Sequence, residues 1–251
     1  TYNVDNIIKN IDIIDEVVNP LFKECEDIKQ LSSHLEKIEN LEAVKEAWTT
    51  SNALYVRTPE GFQLSWVYTP EINNEITSKQ YKTSYTPRYT SASYDTKSTS
   101  YDKHNTTHTY NNVCIINQTS NCDFRTTTQG IKGLCDSLET TFNNNGFNAE
   151  TIDGPKANLD FFENKITEYD IIFLITHGSY DEKGNHWLCT GQLYDKEELK
   201  AKLKELINEH KNTSMVKNMI EKFTIEELHG DKVELVDYFS ISEEYINHEI
   251  K

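Results

Sequence analysis

Beyond Asn112 the sequence alternates short, unbroken apolar runs with segments of helical periodicity, and this alternation restricts the possible folds more than any other feature. VCIIN (113–117) reads as a short buried strand, 147–152 as a second strand and DIIFLIT (170–176) as the strongest strand of the chain. Between them, Ile131, Leu134, Cys135, Leu138 and Phe142 share one helical face, Asn145-Gly146 supplies a helix stop, and a second helix is expected around 159–166. Apolar strands separated by helices of this length predict βαβ units, and so a parallel sheet covered on both faces. A long helix capped by Asp195 with Glu198 follows, carrying Leu199, Leu203 and Leu206. A helix around 216–223, a capping box at Thr224 and Glu227, and a strand over 233–239 are expected next, and SISEEYINHEIK reads as a final helix.

The amino-terminal part has a different texture. Ile7, Ile11 and Ile14 share a face, Pro20 interrupts, and Ser33 with Glu36 forms a capping box ahead of Ile38, Leu41, Val44 and Trp48, which predicts two or three helices up to residue 48. From Ala53 to Tyr68, aromatic and branched residues flank Pro59-Glu60-Gly61, as in a hairpin. Between Ser78 and Asn112 the chain is rich in Ser, Thr and Tyr and nearly devoid of aliphatic residues, which predicts an exposed linker open to proteolytic processing. The expected organisation is an accessory helical and hairpin module over 1–75, a linker over 76–112 and an α/β domain over 113–251.

Composition excludes several classes of function. A net charge of -16 repels a phosphate backbone, so nucleic acid is not an expected partner. The longest apolar run, Ile171 to Ile175, is too short to span a bilayer. The start at Thr1 without methionine suggests removal of an upstream segment, whether an export signal, a lipoprotein anchor or an arbitrary boundary of the sequence, and of the possible locations a secreted or periplasmic, bacterial-type one is slightly favoured. Five cysteines at 25, 114, 122, 135 and 189 lack paired spacing and read as buried small hydrophobes rather than a disulfide scaffold or zinc ribbon.

His177-Gly178 directly follows the strongest strand, at the end where open α/β sheets place reacting groups. In this succession, an opening strand VCIIN, a helix, the Gly146-Phe147 strand entry and the run IIFLITHG, the sequence resembles the caspase, gingipain and clostripain superfamily of cysteine peptidases over residues 112–251. The resemblance implies a caspase-like three-layer α/β/α fold with a mostly parallel sheet, preceded here by the small α+β module. It also implies that His177 works with a cysteine thiolate and protonates the leaving amine, while Gly178 offers a backbone N–H to the oxyanion. Arg125 would line a substrate pocket, and peptides or proteins would be the substrates, with no metal or cofactor.

The pattern departs from the family in one respect. The family's nucleophile follows an Ala-Cys pair on the next core strand, and no cysteine follows Cys189 here. The expectation is therefore a chain that lacks its nucleophile, completed by its own carboxyl-terminal segment on a separate chain, or a catalytically inactive module that binds proteins. Cys189 in HWLCTGQ is a weaker candidate nucleophile, and a metal site of His177, His186 and Cys189 lacks paired ligand spacing. A small-molecule or metal-dependent hydrolase on an unrelated doubly wound sheet is a further alternative.

Overall fold

A computed structural model describes residues 3–68, 111–118, 127–180, 186–229 and 232–250. The apolar stripe of the first segment folds as one helix, α1 (Val4–Glu24), with Ile7, Ile11, Ile14 and Val18 fully buried. Asn3 caps it by accepting from the Asp5 and Asn6 N–H groups, and Pro20 lies inside the helix rather than ending it. Two short helices follow, α2 (Ile28–Ser32) and α3 (Leu35–Glu39). The capping box expected at Ser33 and Glu36 does not form: Ser33 closes α2, donating its hydroxyl to the Gln30 carbonyl, and His34 precedes α3. The helical spacing also stops early, because Trp48 lies on strand β1 (Glu46–Thr49), opposite Tyr55 and stacked on it at 5.3 Å.

The hairpin forms as expected, with β2 (Ala53–Arg57) and β3 (Gln63–Val67) joined through Gly61 at φ 95°. The three apolar runs become β4 (Asn112–Asn117), β5 (Asn148–Asp153) and β6 (Ile171–Ile175), a parallel sheet in the order β5-β4-β6. Helix α4 (Thr127–Asn144) packs on one face of it, where Val113, Ile115, Cys135 and Ala149 make a separate small core. The predicted stop is present: Gly146 has φ 86°, and the Phe147 N–H donates to the Phe142 carbonyl at 3.1 Å. The opposite face, with Cys114, Ile116 and Ile152, joins the main core together with α1, α5 (Leu159–Asn164) and α6 (Lys196–His210). Asp195 caps α6 by accepting from the Glu197 and Glu198 N–H groups.

A second, seven-stranded sheet has the order β1-β2-β3-β9-β10-β8-β7, where β7 is Gly178–Tyr180, β8 is His186–Leu193, β9 is Ile220–His229 and β10 is Lys232–Ser242. Here three expectations are corrected. The segment 216–223 and the box at Thr224 and Glu227 are not helical: only the short α7 (Thr213–Val216) precedes β9, which pairs with β10 over ten registered positions. The sheet is not mostly parallel, since β3–β9 is its one parallel pairing. Finally, the hairpin does not pack apart from residues 113–251: β3 is hydrogen-bonded to β9, and residues 1–69 and 110–251 belong to one compact unit. The architecture is mixed α/β, ending in α8 (Glu243–Glu249), which Ser242 caps. Arg125 and the expected linker up to residue 110 lie outside the described residues. Among the described residues no helix is long and apolar enough to cross a membrane.

Candidate active site

His177 occupies the turn from the parallel sheet into the antiparallel one, between the end of β6 and the start of β7. Its backbone is tied on both sides. The N–H donates to Gln118 Oε1 at 3.2 Å, and the carbonyl accepts from the Cys189 N–H at 3.0 Å and the Thr176 hydroxyl at 2.9 Å. Thr176 Oγ1 also lies 2.5 Å from the Cys189 carbonyl, so this residue clamps the turn to β8.

The ladder between β7 and β8 determines what faces the site. Gly178 pairs with Leu188, and the bond from Cys189 to the His177 carbonyl extends the ladder by one rung, setting Cys189 across from His177. Opposite residues in an antiparallel pair share a face, with Cβ atoms about 5 Å apart. Since His177 and Cys189 form the hydrogen-bonded rung, Gly178 and Leu188 form the non-bonded one, and the Gly178 N–H points away from β8. Gly178 is exposed, and a Cβ there would meet the Trp187 carbonyl at 2.8 Å, so the close approach of the two strands requires glycine.

Burial holds the His177 imidazole below its ordinary pKa, favouring the neutral form, while the negative charge of Glu227 opposes that shift. Glu227 is itself buried on β9, accepting from the Tyr238 hydroxyl at 2.6 Å. Gln118, fully buried at the end of β4, uses Oε1 to hold His177, and its Nε2 has no hydrogen-bond partner among the described residues. A buried amide donor in that position is costly to maintain and is a natural contact for a carbonyl.

The chain matches no protein-family model, no curated protein and no solved structure. The site is thus defined by its own geometry. That geometry brings together His177, Gly178, Cys189, Glu227 and Gln118. It does not bring His186 to them, because His186 lies three positions from Cys189 on β8 and so on the other face. Cys189 is 1% exposed with its Sγ 3.4 Å from the Thr190 carbonyl, and Cys25, Cys114 and Cys135 are buried too. Burial raises the Cys114 thiol to about 12, which makes it inert. Gln118 was not singled out from the sequence, and Glu227 only as part of a helix cap that does not form. Gln118 carries one local signal, a polar residue ending an apolar strand one sheet position from His177, whereas Glu227 carries none.

Proposed function

We propose that this chain carries the histidine side of a cysteine endopeptidase site of the caspase, gingipain and clostripain type. The observation that carries the reading is the His177-Gly178 pair at the carboxyl end of a parallel strand, with a Gly178 N–H turned out of the ladder and an imidazole whose burial favours its neutral form. A neutral imidazole accepts the proton of a thiol, and the resulting thiolate attacks the substrate carbonyl carbon. The electron pair displaced onto oxygen meets the Gly178 N–H. As the tetrahedral intermediate collapses, the C–N bond breaks and the imidazolium returns its proton to the leaving amine. Water then attacks the thioester carbon as His177 takes its proton, and when this second tetrahedral intermediate collapses the C–S bond breaks, the acid product leaves and the imidazolium returns its proton to the departing thiolate. Glu227 stabilises the imidazolium formed in each half-reaction.

A second reading, a protein-binding module without catalysis, is favoured by the burial of every described thiol. Hydrolysis of a mixed peptide library, by the 251-residue chain and by the full product of its gene, separates the two. The peptidase reading expects hydrolysis that His177→Ala abolishes. Loss of that activity on Cys189→Ala would identify Cys189 as the nucleophile, and activity indifferent to His177→Ala, or absent from both forms, would overturn the peptidase reading.

A further inference from the structure

Where the carboxyl end of α6 meets α8, imidazole and carboxylate groups converge that the peptidase site does not use. His210 Nε2 lies 2.5 Å from Glu249 Oε1, with side-chain exposures of only 14% and 7%. Glu209 adds a third donor, and the ligand atoms of Glu209, His210 and Glu249 all lie within 4.8 Å of one another. The His248 ring stands edge-on to that of His210 with centroids 5.7 Å apart, and Glu244 approaches His248 Nε2 at 3.5 Å. The two helices are fixed in place: Ser242 caps α8, the Tyr245 ring is fully buried, and Lys202 of α6 bonds Glu163 at 2.7 Å.

We propose that Glu209, His210 and Glu249 bind a divalent transition-metal cation of the zinc class, with His248, whose ring lies against that of His210, turning in as a fourth ligand. Zinc takes nitrogen and oxygen ligands at roughly 2.0–2.2 Å, which puts ligand atoms about 3.3 Å apart in a tetrahedron. The His210–Glu249 hydrogen bond has to open by less than about 1 Å, and no other pair has to close by more than roughly 1.5 Å, both within side-chain rotation. Imidazole among carboxylates selects zinc and its neighbours over magnesium and calcium, which prefer oxygen-only sites. The net charge of -16 concentrates cations at the surface. Glu209, His210 and Glu249 together offer three ligand atoms, the number of protein ligands that an open zinc site uses.

The test is calorimetric titration of the metal-free 251-residue chain with ZnCl2, with MgCl2 in parallel. One zinc per chain is expected at micromolar affinity or tighter, together with a rise in Tm. His210→Gln and Glu249→Gln should each weaken binding at least tenfold. Glu209→Gln, at an exposed position, and His248→Gln should weaken it several-fold while the circular dichroism spectrum is unchanged, so the result does not depend on the stability of the buried variants. Cys189→Ser should bind like the parent, which separates this site from the thiols and from the peptidase reading. Absence of one-site zinc binding, equal binding of magnesium, or zinc binding undiminished in Glu209→Gln and His248→Gln would overturn the proposal.

Discussion

Replacing Asp15 with Asn removes one of the two carboxylates that hold Lys222 inside the large sheet. The Lys222 side chain is 0% exposed; its Nζ lies 2.6 Å from Asp15 Oδ1 and 3.1 Å from Asp237 Oδ2, and 5.5 Å from the ring centroids of Trp66 and Tyr194. At an effective dielectric of about 20 the two attractions amount to about 6 and about 5 kcal/mol, against a desolvation cost of several kcal/mol for each ion. The intact cluster therefore contributes little net stability, while breaking it leaves a buried cation half-compensated. Asp15→Asn should destabilise the chain by about 3 kcal/mol. Lys222→Met should cost less, about 1–2 kcal/mol, because the cation goes with its partner and the carboxylates left behind retain access to water. Burial already pushes the Asp15 carboxyl above its usual range, so in Lys222→Met it takes up a proton readily. The double variant should reveal a coupling of about 2 kcal/mol in a cycle measured by urea unfolding. An Asp15→Asn cost below about 1 kcal/mol, or coupling below about 0.5 kcal/mol, would refute the argument that α1 and β9 are joined through a buried charge.

Gly191→Ala should destabilise by at least about 3 kcal/mol in thermal unfolding, because a Cβ there would lie 1.7 Å from the Gly154 carbonyl oxygen and force two backbones apart. Gly133→Ala, with nothing within 4 Å in the middle of α4, should instead stabilise by about 0.5–1 kcal/mol, and a loss of stability there would contradict the assigned helix. For His177 the sign follows from its depressed pKa: below the unfolded-state value of about 6.5 the unfolded chain binds a proton that the folded chain does not. Stability should therefore fall as pH drops from about 6.5 toward the folded value, and His177→Gln should remove that part of the acid limb in urea midpoints taken from pH 7.5 to 5. Equal acid losses in parent and variant would show that the imidazole is not desolvated.

The sequence by itself determined β4, β5, β6, α4 and α6. β4 and β6 stand out as unbroken apolar runs even though Ile172 and Leu174 of β6 stay exposed, and helices such as α6 state their period and cap within a few residues, as Asp195 does. His177 was legible for the same reason, since the end of a strand is a local fact. Only the tertiary structure decided β9. Val216, Met219, Ile220 and Phe223 recur at helical spacing, yet the segment from Ile220 is extended because its polar residues find partners far away in the chain. Glu221 accepts from Gln63 and Ser65 across separations of 158 and 156 residues, Lys222 meets Asp15, and Glu227 receives the Tyr238 hydroxyl. These contacts also join the hairpin to the rest of the sheet and set Cys189, Glu227 and Gln118 around His177. Strand pairing between distant segments is a cooperative choice made by burial and hydrogen bonding over the whole sheet, so no window of the sequence records it.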